Sequence, residues 1–152
     1  MTKILMVCLG NICRSPVAEG VLKHKLHQNK IEAFVDSAGT SGWHDGEQPD
    51  ARSIQNAKLN GINISAQKSR KVTPNDFIEF DYIFAMDQQN YNNLLQICPP
   101  QYHNKIAIIL NISYPGKNLN VPDPYYTTDG FQEVFDLLDN ACSELIKKIF
   151  KN

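Results

Sequence analysis

Near the start of the chain, Cys8-Leu9-Gly10-Asn11-Ile12-Cys13-Arg14-Ser15 places five residues between a cysteine and an arginine, with a serine directly after and Pro16 next. Each residue type alone has an ordinary explanation. A cysteine after an apolar run is usually a small core residue, an arginine before a helix a solvated charge, and a serine there an N-cap. Together they form a set for phosphoryl transfer. Arg14 has a planar fork that grips two oxygens of a phosphate. The free amides of a short loop entering a helix converge on one spot and favour an anion there. Cys8 faces the same focus, which favours the thiolate, and a thiolate beside a bound phosphorus atom is a nucleophile. Leu9 through Ser15 are therefore the expected phosphate-binding segment, and Cys8 the nucleophile of a cysteinyl-phosphate mechanism.

Such a loop has to connect a strand to a helix. Residues 3–7 read as a buried strand, and Val17, Ala18, Val21, Leu22 and Leu26 fall at helical spacing. Ser15 suits the N-cap and Pro16 the first helical position. Gly10 and Asn11 are the residue types that best tolerate left-handed backbone. Further strands are expected at 34–36, 81–86 and 105–110. Helices are expected at 50–59, capped by Asp50 and stopped by Gly61, at 88–96, and over 131–150. Strands alternating with helices predict an α/β fold: a small doubly wound domain with a four-stranded parallel sheet and helices on both faces. Ligands then bind beyond the carboxyl ends of the strands. Two long loops, 39–49 and 111–130, belong to a site more readily than to a scaffold.

Composition bounds what else the chain does. Its 152 residues predict one domain, 1–152. Fifteen basic and 16 acidic residues give a net charge of -1, which supplies no bulk attraction for nucleic acid or an anionic membrane. No apolar run approaches the roughly 18 residues of a bilayer span, and no leader pattern opens the chain. A cytoplasmic monomer is expected. The four cysteines fit a reducing compartment. Cys8 and Cys13 lack zinc-ligand spacing, and His24 and His27 read as exposed helix residues, so neither metal nor other cofactor is expected.

The segment from Cys8 to Pro16, with Ala18 and Glu19, resembles the signature of the low-molecular-weight protein tyrosine phosphatases. Asp36-Ser37-Ala38-Gly39-Thr40, Ser41-Gly42-Trp43, Pro49-Asp50, Asp76-Phe77, Met86-Asp87 and Asp123-Pro124-Tyr125-Tyr126 follow in the order the resemblance implies, so it covers essentially the whole chain. It implies a flavodoxin-like sheet of four parallel strands. It also implies that Asp123, held stiffly between Pro122 and Pro124, comes to Cys8 as general acid and then as base for water, a role typically worth about 10²–10⁴ in rate. Trp43, Tyr125 and Tyr126, aromatic residues of the two long loops, could wall a deep slot that holds a phenyl ring. The resemblance places them at the mouth, with Ile12, and phosphoserine is too short for such a slot. Phosphotyrosine proteins are the implied partners. Asn11, Ser15 and Ser37 are implied to support the loop, with Ser15 bonding the sulfur. Asp87 reads equally as a cap for the helix starting at Gln88 and as a support behind the loop.

One position departs from the pattern. Many relatives carry His, which supports the curled loop, where this chain has Gln67, longer and never charged. Rival readings remain. An arsenate reductase on this scaffold needs two further nearby cysteines, and Cys98 and Cys142 do not form such a pair. A protein arginine phosphatase carries Thr where Ile12 stands. A non-catalytic phosphotyrosine-binding module would usually have lost Cys8 or Asp123, and a flavin carrier needs neither Cys8 nor Arg14. Cys13 shares the curled loop with Cys8 and is expected to resolve an oxidised Cys8 as a disulfide.

Overall fold

Thr2–Cys8 forms β1, and alternation divides its side chains between two cores. Ile4, Met6 and Cys8 enter one; Leu5 and Val7 enter the other. A strand apolar on both sides has to be central and covered twice. In the computed structural model, which describes residues 1–126 and 129–150 but not the side chain of Tyr126, β1 is central. The sheet order is β2-β1-β3-β4, with β2 at Ala33–Gly39, β3 at Tyr82–Ala85 and β4 at Ile106–Ile108. Every pairing is parallel, so the four-stranded parallel α/β sheet read from the sequence is the one present.

Helices α1 (Arg14–Gln28), α2 (Ala51–Leu59) and α6 (Phe131–Ile149) pack on the face of Ile4 and Met6. Helices α3 (Pro74–Glu79) and α4 (Gln88–Ile97) pack on the opposite face, through Phe77 and Leu94. In α6, Val134, Leu138, Ala141 and Leu145 return every three or four residues to one buried stripe. Asp50 caps α2, accepting from the Arg52 amide at 2.8 Å, and Gly61 leaves it with φ +85°. Among the described residues no helix is long and apolar enough to cross a membrane.

The local expectations needed four corrections. Helix α1 begins at Arg14 with Cys13 at the N-cap and no capping side chain, because the Ser15 hydroxyl is engaged by the neighbouring loop. Pro16 is still tolerated in that first turn, where its missing amide had no partner anyway. Strand β4 ends at Ile108, and Leu110–Ser113 turns into α5. Helix α3, too short to show periodicity, starts at a capping box in which Asp76 accepts from the Thr73 amide at 2.7 Å.

Strand order places the site. β1 lies between β2 and β3, so the connections leave it in opposite directions and open a crevice at its carboxyl end. Cys8 stands there, opposite Gly39 of β2, while Val7 faces Ala85 of β3. A Cβ on Gly39 would lie 2.7 Å from the Leu9 carbonyl oxygen and 3.2 Å from the Asn11 amide nitrogen. Only glycine lets the end of β2 back so closely onto the loop.

Candidate active site

The loop after β1 is curled by one left-handed residue, Asn11, at φ 56°. Gly10 does not adopt positive φ as expected; its missing Cβ instead makes room for His44, whose Cδ2 would lie 3.1 Å from one. Asn11 then organises the nucleophile. Its Oδ1 accepts from the Arg70 amide at 3.0 Å, which fixes the orientation of the side-chain amide. Its Nδ2 donates to Ser15 Oγ at 2.8 Å and to Ser37 Oγ at 3.0 Å. Both hydroxyls thus receive one hydrogen and must place their own elsewhere. Ser37 gives its proton to Glu19 Oε1 at 2.6 Å. Ser15 Oγ lies 3.0 Å from Cys8 Sγ, placed to give its proton to a sulfur that carries none. The Asn11 amide donates to the same sulfur at 3.3 Å. The Asn11 amide and the Ser15 hydroxyl therefore both face the Cys8 sulfur.

Arg14 is 3% exposed. Its Nη1 donates to Asp87 Oδ2 at 2.7 Å and to the Val121 carbonyl at 3.0 Å. Its Nη2 lies 3.7 Å from Asp123 Oδ2. Burial works against this charge, but the Cys8 sulfur, Asp87 and Asp123 together raise the guanidinium above its usual pKa. Asp87 fills both roles left open by its sequence. One oxygen caps α4 through the Asn90 amide at 2.7 Å, and the other holds Arg14. Asp123 is brought to the same cleft, its Oδ1 accepting from the Tyr125 amide at 3.0 Å.

The cleft has a volume of about 390 Å³ and is lined by Cys8, Leu9, Gly10, Ile12, Cys13, Arg14, Ser41, Trp43, His44, Asp123 and Tyr125. Ile12, Trp43 and Tyr125 lie along this cleft, with Trp43 90% exposed at the rim. The side chain of Tyr126 lies outside the described residues. Ser37 stands behind the loop, bonded to Asn11 Nδ2. Gln67 donates to the Pro16 carbonyl at 3.0 Å, in the first turn of α1 and not in the curled segment, so the Asn11 network bears the loop.

Other participants had no signal in the sequence. His44 pairs with Glu47 at 2.6 Å and sits 6.5 Å, ring to ring, from Tyr125. Arg52 lies over the rings of Tyr125 and Phe131, 5.7 and 4.8 Å from their centroids, and donates to the Tyr125 carbonyl at 2.9 Å. It also holds Asp50 Oδ2 at 2.9 Å, while the Asp50 amide donates to the Ile12 carbonyl at 2.8 Å. The loop of Asp123 is thereby tied to the phosphate-binding loop. Asp50 is legible in the sequence only as a helix cap.

Cys13 differs from Cys8 in its surroundings. Burial, then the nearby Asp50 carboxylate, push its thiol up to about 12, against a lowering hydrogen bond from Ser53. All four cysteines are free and buried. Cys98 and Cys142 belong to the cores on opposite faces of the sheet, so they cannot act as one relay. Among the described residues no group of three or more His, Cys, Asp or Glu side chains could hold a metal ion.

Residues 3–152 match the family model described as low molecular weight phosphotyrosine protein phosphatase. The protein of that name from Schizosaccharomyces pombe is 40% identical over 98% of this chain and 99% of its own. The crystal structure of a protein tyrosine phosphatase from Entamoeba histolytica is 45% identical, with a TM-score of 0.93 over 98% of this chain and 97% of that one. A Drosophila arginine phosphatase shares the fold at 32% identity, with a TM-score of 0.91 over 98% of each chain. With a curled anion loop, a sulfur receiving two hydrogen bonds and a match along nearly its whole length, this chain belongs to the low molecular weight phosphotyrosine protein phosphatase family.

Proposed function

We propose that the protein hydrolyses protein phosphotyrosine and small aryl phosphates in two steps, with Cys8, Arg14 and Asp123 as the catalytic residues. The observation that carries this reading is the convergence of Asn11 N–H and Ser15 O–H on Cys8 Sγ, in a cleft shared with Arg14 and Asp123. The loop amides and Arg14 hold the non-bridging phosphate oxygens. Cys8 sulfur attacks phosphorus as the ester P–O bond breaks, and Asp123 gives its proton to the leaving phenolate. Asp123, now a carboxylate, takes a proton from water as the water oxygen attacks the phosphocysteine. Inorganic phosphate leaves and the thiolate returns. Each step is an in-line displacement whose charge the Arg14 fork and loop dipoles stabilise.

Ile12, Trp43 and Tyr125 form the ring-binding wall, with Tyr126 assigned to it from the sequence. Asn11, Ser15, Ser37 and Asp87 position the loop and the guanidinium. The protein acts as one domain and as a monomer, in the cytoplasm, where four free cysteines persist. It acts on proteins and not on nucleic acid or membranes, and without a metal. Turnover of phosphotyrosine, phosphoserine and phosphoarginine peptides, measured side by side in chelator, tests the substrate class. Phosphotyrosine is expected to be the preferred substrate by at least about tenfold, because only its ring stacks on the wall. Preference for phosphoarginine, or dependence on added metal, would sink this reading.

Cys13 is proposed as the resolving thiol. Peroxide converts the Cys8 thiolate to a sulfenic acid, and the Cys13 sulfur then bonds to Cys8 with loss of water. Burial and the Asp50 carboxylate push the Cys13 thiol up to about 12, so little of it is thiolate near neutral pH and closure quickens as the pH rises. Wild-type enzyme treated with mild peroxide should regain activity with dithiothreitol, more completely when oxidised at pH 8 than at pH 6.5. Cys13→Ser should recover much less at either pH. Full recovery in that variant, or no Cys8–Cys13 peptide by mass spectrometry, would leave Cys13 a packing residue.

A further inference from the structure

A trans peptide unit points its carbonyl and its N–H in opposite directions. In the unit joining Gly10 and Asn11, the N–H end donates to Cys8 Sγ at 3.3 Å. The carbonyl end accepts from the hydroxyl of Ser69 at 3.0 Å. Rotation of this unit changes ψ of Gly10 and φ of Asn11. Glycine has no Cβ to resist the first change, and Asn11, already at φ 56°, would relax into the ordinary region with the second. The peptide that aims a donor at the nucleophile is therefore one whose own backbone does little to hold it. A flipped unit would turn the Gly10 carbonyl towards the sulfur, where an oxygen dipole opposes both the thiolate and an incoming phosphate.

Ser69 is placed to prevent that rotation and is itself anchored. It is 4% exposed. Its amide donates to the Glu47 carbonyl at 2.8 Å, and its carbonyl accepts from the Gly46 amide at 2.8 Å. The next residue, Arg70, gives its amide to Asn11 Oδ1 at 3.0 Å. The Arg70 guanidinium is held by Asp36 at 3.1 Å and by Asp76 at 2.9 Å. Beyond it the chain runs along the end of β2, with Gly39 N bonded to Arg70 O and Val72 N to Gly39 O. A fixed hydroxyl therefore meets a peptide carbonyl whose flanking backbone offers little resistance to rotation.

We propose that Ser69 is a positioning residue of the active site: its hydroxyl locks the Gly10–Asn11 peptide so that the Asn11 N–H stays aimed at Cys8 and at the phosphate bound there. The proposal rests on the phosphatase reading of Cys8. Because the backbone of Ser69 also holds residues 46 and 47, the same residue keeps the Trp43–His44 rim in register with the phosphate-binding loop.

Three variants of the full chain test the lock. Removing an anion-hole donor outright typically costs about 10²–10³ in kcat, so loosening one is expected to cost less. Ser69→Ala should lower kcat/KM for p-nitrophenyl phosphate roughly tenfold and raise the vanadate inhibition constant by a similar factor. Ser69→Thr, which restores the hydroxyl, should stay near wild type. Ser69→Val, with the shape of threonine but no hydroxyl, should behave like Ser69→Ala. The Thr and Val pair decides the matter even if Ser69→Ala folds poorly. Equal kinetics in those two, wild-type turnover in Ser69→Ala, or lost turnover with unchanged vanadate affinity would each overturn the proposal. A wild-type chain that does not turn over aryl phosphate would instead sink the phosphatase reading, and vanadate binding would still report on the lock.

Discussion

Cys8→Ser is expected to abolish aryl-phosphate hydrolysis, by at least about 10⁴-fold, while phosphate and vanadate still bind. The hydrogen-bond inventory around the sulfur explains both halves of this result. Asn11 N–H and Ser15 O–H both donate to Cys8, and Ser15 Oγ already accepts from Asn11 Nδ2. A thiolate satisfies that arrangement without a proton of its own. A serine hydroxyl placed there can accept from both donors, yet it finds no base to remove its proton, and a protonated oxygen is a poor nucleophile. Arg14 and the remaining amides are untouched, so the anion still has its cradle. Rapid quench should trap a phosphocysteine in the wild type and nothing in the variant. Substantial residual turnover would remove Cys8 from its role.

For Asp123→Asn a slowing of about 10²–10⁴ is expected with phosphotyrosine, the usual worth of a general acid. The loss should shrink as the leaving phenol becomes more acidic, since such a group departs with little protonation. Structure makes this substitution a clean probe. Asparagine keeps an Oδ1 to accept from the Tyr125 amide, as Asp123 does at 3.0 Å, and Pro122 and Pro124 still stiffen the loop. The Arg52 contact to the Tyr125 carbonyl is also unaffected. A uniform loss across leaving groups, measured as the slope of log kcat against phenol pKa, would show that Asp123 shapes the loop and moves no proton.

Legibility in the sequence followed the range of the contacts. The alternation of β1 and the stripe of α6 are decided by neighbours in sequence, so strand and helix could be read directly. The run from Cys8 to Ser15 is equally local, and its chemistry was readable residue by residue. Asp123 was not: its partner Arg14 is distant in sequence, and only the family resemblance brought the two together. Asp87 carried one local signal, the cap of α4, which hid its second bond to Arg14. Gly10 misled because glycine permits left-handed backbone without requiring it; the turn is made at Asn11, and Gly10 is small for the sake of His44. Ser69 lies in a polar stretch with no period and no motif, and Arg52 reads only as one residue of the helix expected at 50–59. Their roles exist only once β2, α2 and the phosphate-binding loop have been brought together.

The closure of Arg14 has a consequence for how the protein comes to exist as a catalyst. Its guanidinium is completed by Asp87, 73 residues on, and by the Val121 carbonyl, 107 residues on. A partly assembled chain that had formed β1 and α1 but not yet docked the later segments would leave the Arg14 fork in water, without the acceptors that fix its direction. Contacts of such sequence separation also form late and slowly, because loop closure has to precede their reward. The anion cradle is therefore not a local module that matures ahead of the rest. It arises as the later segments dock, so that on a ribosome the nucleophile is made first and becomes competent only once Asp87, Val121 and Asp123 have followed it.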